Sequence, residues 1–408
     1  MKQERIYPKF TVSVKAERAL SGGHPWVYGT EVVREEPCEN GALVDVVSLK
    51  GRYLGTGFVS EKSKIRVRVF SKNANDRFDE AFWRRRLTHA WEYRKSVLQP
   101  DELECCRIIF GEADFFPGLT VDRFGPILSA QVLSVGMEQC KDLLFPLLVD
   151  VLQKDGQCID GIYERNDVAI RGLEGLAQYK GWYDLSAHGL PTPKSALADI
   201  VENGVRYTVD VENGQKTGFF LDQKYNRAAV ARLASGKRVL DCFTHTGSFA
   251  LNAAKGGAAH VTAVDVSETA VEMARANAEK NGVADRMECV AADVFELLPT
   301  LEQGAYDFII LDPPAFTKSR KTLHNALRGY KEINYRAMKL LPRGGYLATC
   351  SCSHFATEEE FCKMLVSAAK DAGVQLRQIE ARQQSPDHPI LWGVGETSYL
   401  KFYLFQVV

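Results

Sequence analysis

No stretch of the 408-residue chain approaches the roughly 20 consecutive apolar residues that a membrane-spanning helix requires, so no membrane association is expected. The opening MKQERIYPKF lacks an apolar core, so a secretory leader is not expected either. Ten cysteines are present, yet no two form a Cys-x-x-Cys pair. That absence argues against zinc ribbons and fingers, and no metal site is assigned. Without an export signal, the thiols are expected to be reduced in a cytoplasmic protein. Net charge is also nearly absent, at −1, but it is unevenly spread. Met1–Pro100 carries 19 Lys and Arg against 12 Asp and Glu, which makes that part +7 and the remainder −8. Such asymmetry points to a nucleic-acid-facing N-terminal part. At 45% hydrophobic and 25% charged, the composition is that of a globular protein, and the length predicts two or three domains.

Three regions follow in order. Residues 1–72 hold short alternating segments (FTVSVK, ALVDVVS, RYLGTGFVS, KIRVRVF) separated by Gly and polar residues, the pattern of a small all-β unit. In Lys64–Phe70 the apolar Ile65, Val67 and Val69 alternate with Lys64, Arg66 and Arg68. One face of that strand is core; the other, with Arg66 and Arg68, could lie along phosphates or protect an edge strand. With the preceding GHPWVY, this region resembles a PUA domain, a compact RNA-binding β-barrel. Residues 73–190 read as a small α+β domain: an amphipathic helix over Phe78–Leu98 bearing Arg84, Arg85 and Arg86, then antiparallel strands around RIIFGEADFFPGLTVDRF. Arg107, Asp114, Asp122, Arg123, Arg165 and Asp167 are read there as ion-paired scaffold. Residues 191–408 alternate strands with helices, which predicts a parallel sheet covered on both faces. A hairpin, VRYTVDVENGQKTGFF, precedes them, with Asn213-Gly214 as its expected turn.

The chemistry concentrates at the carboxyl ends of the strands in this third region, where open α/β sheets bind ligands. Lys237–Leu240 leads into Asp241-Cys-Phe-Thr-His-Thr-Gly247 and a helix, a loop that can offer backbone N–H groups to a ligand. It is not a dinucleotide fingerprint, because Phe243 and His245 stand where glycines are expected. A second strand ends at Asp265, placed to accept hydrogen bonds from ribose hydroxyls, with Ser267 as the cap of the next helix. A third leads to Asp293 and a fourth to Asp312. Four acids on one sheet edge describe a site for an adenosine bearing a short charged tail. After Asp312 come Pro313, Pro314 and Phe316. The prolines end the strand stiffly; the acid and the aromatic suit the edge and face of a flat polar ring. A fifth strand, Tyr346–Cys350, runs into Ser351-Cys352-Ser353-His354, which sets a cysteine opposite the Asp-Pro-Pro loop.

This set resembles the class I S-adenosylmethionine-dependent methyltransferases. Over nearly the full chain, the order GHPWVY, GEADFFPGLTVDRF, TGFFLDQ, CFTHTG, LDPPAF, TCSCSHF and QSPDHPILWGVGETSYLKFYLFQV resembles the RlmI-like family of large-subunit rRNA cytosine-5 methyltransferases. The resemblance implies a Rossmann-like α/β methyltransferase domain preceded by a PUA barrel and an α+β middle domain. It implies S-adenosylmethionine as cofactor, held by Phe219, Asp222, Asp241, Phe243, Thr246, Gly247, Asp265, Ser267, Asp293, Val294 and Asp312. It implies large-subunit rRNA as partner, contacted by Pro313, Pro314, Phe316, Arg66 and Arg68, and it leaves a homodimer open. Carbon-5 of cytosine is a weak nucleophile, so the expected chemistry is addition of the Cys352 thiolate to carbon-6, with Asp312 on ring nitrogen-3 and the amino group. The thiolate needs a lowered pKa, for which His354 or a nearby Arg or Lys is the expected source. Cys350, within the strand, is read as packing. Two alternatives remain at this point. Asp-Pro-Pro-aromatic also resembles the motif of enzymes that methylate exocyclic amino groups of guanine or adenine, which need no cysteine. A non-catalytic RNA-binding assembly factor is the other.

Overall fold

The computed structural model describes residues 5–317 and 319–408, which form two compact units. The first takes the chain up to Ile200 together with Thr208–Leu221 and Pro386–Thr397; the second comprises Val201–Tyr207, Asp222–Ser385 and Ser398–Val408.

The first unit begins with strands β1 (Lys9–Val12), β2 (Trp26–Tyr28), β3 (Val32–Glu35), β4 (Leu43–Ser48), β5 (Tyr53–Val59) and β6 (Ile65–Ser71), and a helix α1 (Val14–Ser21). They make a six-stranded sheet in the order β2-β6-β5-β4-β1-β3. Alternation drives the fold as expected: Phe10, Val12, Val44, Val46, Val67 and Val69 share one buried cluster. The opposite face of β6 is ion-paired, with Arg66 on Glu35 at 2.9 Å and Arg68 on Glu174 at 2.9 Å and Glu112 at 3.4 Å. Helix α2 (Glu80–Val97), capped by the Asp79 carboxylate on the Phe82 N–H, packs Phe82 and Trp83 against Phe58 and Phe70 of the sheet.

A second sheet in this unit has the order β11 (Tyr179–Trp182), β10 (Gly161–Asn166), β9 (Ile127–Val132), β8 (Leu119–Phe124), β7 (Cys105–Phe110). It departs from the all-antiparallel expectation: β9 and β10 run parallel, joined by helix α3 (Val135–Lys154), the crossover that a parallel pair requires. The scaffold reading of its charges is borne out in Arg107–Asp122 at 2.7 Å and Arg165–Asp167 at 3.1 Å. Asp114 is instead clasped by Arg94, a fully buried helix residue.

The expected hairpin lies one repeat of Glu-Asn-Gly earlier. Strands β12 (Leu197–Glu202) and β13 (Val205–Asp210) pair across Asn203-Gly204, where φ is +53° and +73°. Positive φ at both central residues matches the twist of paired strands. Around Asn213-Gly214 the Asp210 carboxylate instead accepts from the N–H groups of Glu212 and Asn213 and closes a local turn.

The second unit is a seven-stranded sheet with β14 (Arg238–Cys242), β15 (His260–Asp265), β16 (Met287–Ala291), β17 (Phe308–Leu311), β18 (Tyr346–Ser351), β19 (Leu376–Arg382) and β20 (Lys401–Val407). The order is β16-β15-β14-β17-β18-β20-β19, parallel except that β20 runs antiparallel between β18 and β19. Its helices are α4 (Lys224–Leu233), α5 (Ser248–Lys255), α6 (Glu268–Lys280), α7 (Val294–Leu297), α8 (Leu323–Leu340) and α9 (Glu358–Ala372). Near-continuous apolar strands such as Phe308–Leu311, fully buried, are what a sheet covered on both faces demands. Among the described residues, no helix is long and apolar enough to cross a membrane.

Candidate active site

The sheet order sets β16, β15, β14 and β17 side by side, so the four acids stand on four neighbouring strands. Their positions differ in depth. Asp241 is the penultimate residue of β14, Asp265 the last of β15, Asp312 the first past β17, and Asp293 the second past β16.

Asp241 is fully buried. One carboxylate oxygen, Oδ2, accepts from the Thr244 hydroxyl at 2.5 Å and the Ala250 N–H at 2.9 Å. Its other oxygen has no hydrogen-bond partner among the described residues, and neither has the hydroxyl of Thr246. Burial, reinforced by the charges of Asp312 and Asp265, pushes the Asp241 pKa up to about 7. A buried acceptor with an open oxygen among like charges calls for a cation-bearing ligand. The amino acid tail and sulfonium of S-adenosylmethionine supply that charge, so these residues fit the cofactor.

The loop that follows is built on three left-handed residues, with φ of +64° at Phe243, +51° at His245 and +84° at Gly247. Phe243 and His245 thus adopt the backbone shape usual for glycine, at a cost on the order of 1 kcal/mol each. That shape aims the His245 N–H at the Asp265 carboxylate, 2.9 Å away. The other Asp265 oxygen accepts from the Ser267 N–H at 3.0 Å, and the Ser267 hydroxyl caps α6 on the Ala270 N–H. Asp293 caps α7 through the Phe295 N–H at 2.7 Å, with Val294 buried behind it.

Asp312 is oriented by Gln223, whose amide donates to it at 2.9 Å. The buried Cys350 thiol shares that contact with Gln223 and Asp312, and burial raises it well above its ordinary pKa. Asp222, next to Gln223, accepts the Tyr399 hydroxyl at 2.6 Å. Phe316 stands against Tyr330 at 4.6 Å between ring centroids, with Phe295 at 5.8 Å and Phe243 at 6.5 Å. Pro313 is buried and Pro314 exposed.

Cys352 is half-buried, one residue past the end of β18. His354, an expected source of positive charge, is exposed, its ring edge-on to Phe355. A cation that reaches the cysteine loop among the described residues is Lys401, paired across the sheet from Ser351. Its ammonium donates to the carbonyls of Ser353 at 2.6 Å, Ala356 at 2.7 Å and Tyr399 at 2.9 Å, which uses all three of its N–H donors. Burial lowers its pKa to about 8, opposed first by the charge of Cys352.

The second unit therefore brings together Asp222, Asp241, Phe243, Thr246, Gly247, Asp265, Ser267, Asp293, Val294, Asp312, Phe316 and Cys352. Phe219, Arg66 and Arg68 belong to the first unit. Sequence reasoning missed Lys401, Gln223 and Tyr399. Lys401 had a signal: it is the lone charge in the apolar strand LKFYLFQV.

The sequence pattern of the S-adenosylmethionine-dependent methyltransferases matches residues 171–406, and that of a PUA-like domain matches residues 10–72. The chain is 39% identical to a ribosomal RNA large subunit methyltransferase I of Klebsiella pneumoniae over 409 aligned residues, 99% of this chain and 100% of the relative. It is 40% identical to the protein of that name from Escherichia coli O157:H7, covering 96% of this chain and 97% of the relative. In structure it resembles a methyltransferase from Streptococcus mutans, with a TM-score of 0.80 at 22% identity over 98% of this chain and 99% of the other.

Proposed function

Because this chain belongs to the S-adenosylmethionine-dependent methyltransferases, in the family of the ribosomal RNA large subunit methyltransferases I, we propose that it methylates carbon-5 of a cytosine in large-subunit rRNA, in the cytoplasm, through a covalent adduct at Cys352. The observation that carries the reading is the cysteine loop itself: a half-buried thiol beyond β18, with a buried ammonium under its main chain. Residues 1–72 would serve as the PUA module, 73–190 as the middle domain and 191–408 as the methyltransferase domain.

Cofactor binding falls to the acids and the CFTHTG loop. The open oxygen of Asp241 takes the ammonium of the tail, and Asp265 takes the ribose hydroxyls. Asp293 and Val294 frame the adenine, with Asp222 assigned to the same ligand. Bound there, S-adenosylmethionine supplies an electrophilic methyl group.

On the substrate side, Phe316, Pro313 and Pro314 receive the flipped base, and Asp312 hydrogen-bonds nitrogen-3 and the amino group. The Cys352 thiolate forms a bond to carbon-6, and the displaced electron pair makes carbon-5 nucleophilic. Once carbon-5 carries the methyl group, loss of its proton drives the electron pair back, the sulfur–carbon-6 bond breaks and the thiolate returns. Lys401 favours the anion through space while pinning the loop that carries it.

Large-subunit rRNA bearing 5-fluorocytosine tests the mechanism, because fluorine blocks the final proton loss. The expected result is a protein–RNA band that survives denaturation and disappears with Cys352→Ala, while that variant keeps its S-adenosylmethionine affinity. Methyl transfer to ordinary rRNA without any adduct would refute it in favour of amino-group methylation at Asp312.

A further inference from the structure

An open groove of about 720 Å3 lies within the first unit, between α2, the end of β6, the turn at Phe115 and the segment at Trp392. This is within the range of about 300–1,000 Å3 over which pockets hold compact ligands. Its rim carries an unusual side chain for a protein surface: Trp392 is 92% exposed. The backbone beneath that ring is fixed. A Cβ on Gly393, at φ +93°, would lie 2.7 Å from the Gly22 carbonyl oxygen, and one on Gly23, at φ +106°, would lie 3.4 Å from the Trp392 carbonyl oxygen. Two glycines therefore let the segment sit directly on the Gly22-Gly23 turn and hold an indole in water.

The second exposed ring is held at a cost too. Phe115 is 44% exposed and has a left-handed backbone, φ +63°. The guanidinium of Arg86 sits 4.9 Å from the Phe115 ring and 4.9 Å from the Phe82 ring.

Charge completes the picture. The acids that line the groove are engaged by the protein: Asp114 by both arms of Arg94, Glu112 by Arg68 and the Trp26 indole, and Asp76 by Ser71 and Asn73. The cations are not matched in the same way. Arg86 donates to the Phe70 carbonyl and Lys72 to the Leu20 carbonyl, neither of which carries a formal charge. Arg85 is 53% exposed and stands 3.9 Å from Asp76. By contrast, Arg66 and Arg68 face glutamates. Exposed rings beside arginines are the chemistry that binds single-stranded nucleic acid: bases stack on the rings, and cations follow the phosphates.

We propose that this groove is an accessory RNA site that takes an unpaired nucleotide of the substrate, its base stacked on Trp392 and Phe115 and its phosphates held by Arg85 and Lys72. The assignment rests on the RNA methyltransferase reading above. A paired base offers no free face to such rings, so the groove selects single strands over duplex.

The test is fluorescence anisotropy with the full-length protein, using an unstructured oligoribonucleotide of about 12 nucleotides and a blunt RNA duplex. Trp392→Ala is expected to weaken single-strand binding by about tenfold to a hundredfold with little effect on the duplex. Arg85→Glu is expected to weaken single-strand binding and flatten its salt dependence. Both residues are exposed, and unchanged S-adenosylmethionine affinity in the same preparations verifies folding. Wild-type binding that neither variant alters would overturn the groove and leave the RNA reading standing. Equal losses for strand and duplex would overturn the unpaired-nucleotide assignment. A wild-type protein that binds neither RNA would refute both readings.

Discussion

Replacing Lys401 with Met removes the ammonium beneath the cysteine loop while keeping a side chain of similar length. Two effects follow, and they separate by assay. The first is structural: three carbonyls lose a charged donor. At about 1 kcal/mol for each buried acceptor left unmatched, the low end of the usual range, the variant should lose about 3 kcal/mol of stability. The second is electrostatic. Removing a cation beside a thiol raises the thiol pKa, so less thiolate is present at neutral pH. Iodoacetamide labelling of Cys352 across pH, read by mass spectrometry, reports the second effect without RNA or cofactor. The expected result is a labelling curve displaced to higher pH in Lys401→Met, with the wild-type curve largely restored by Lys401→Arg, which keeps the charge. Lys401→Gln, which keeps donors but not charge, should follow the Met variant and covers a Met variant that folds poorly. Identical labelling curves in folded wild-type and Lys401→Gln protein would refute the electrostatic role and leave Lys401 as a clamp alone.

The Asp241 pKa, raised to about 7, predicts S-adenosylmethionine affinity that falls as pH drops below 7, by up to tenfold per pH unit, because the bound cation favours the carboxylate. Titration calorimetry of wild type against Asp241→Asn should show this slope in the first and weak, pH-flat binding in the second. The sign reverses for stability. The folded pKa lies above the ordinary 3.8, so the ligand-free protein binds more protons folded than unfolded, and this residue's contribution falls as pH rises from about 4 to 7. Gly247→Ala combines φ +84° with a Cβ 3.1 Å from Ala274 Cβ and Met287 Cε. A loss of about 1–2 kcal/mol in denaturant unfolding is expected, together with weaker cofactor binding; an unchanged midpoint would refute the strain argument.

Strands β1, β4, β5, β6 and β14 to β18 were legible because burial imposes period two on a half-exposed sheet and near-continuous apolar runs on a covered one. The acids were legible because each stands beside a break in such a run. What escaped reading depends on contacts between residues far apart in the chain. Asn203-Gly204 and Asn213-Gly214 have the same local chemistry, and only the pairing of β12 with β13 selects the first. The length of α3 was unread because its apolar residues, from Val135 to Leu152, surround most of the helix rather than forming one stripe. Lys401 was not singled out as a source of positive charge because it is far from Cys352 in sequence and comes to the cysteine loop through the sheet.

The placement of β20 bears on the order in which the sheet is assembled during synthesis. Strands β14 to β17, with all four acids, are complete once residue 312 has been made, and the cysteine loop follows some forty residues later. The strand that brings Lys401 beneath that loop is the twentieth in chain order, and it must insert between two strands already translated. A nascent chain that stops short of it can carry the four acids and the cysteine loop, but not the ammonium that ties the Ser353 and Ala356 carbonyls, so that loop is anchored last.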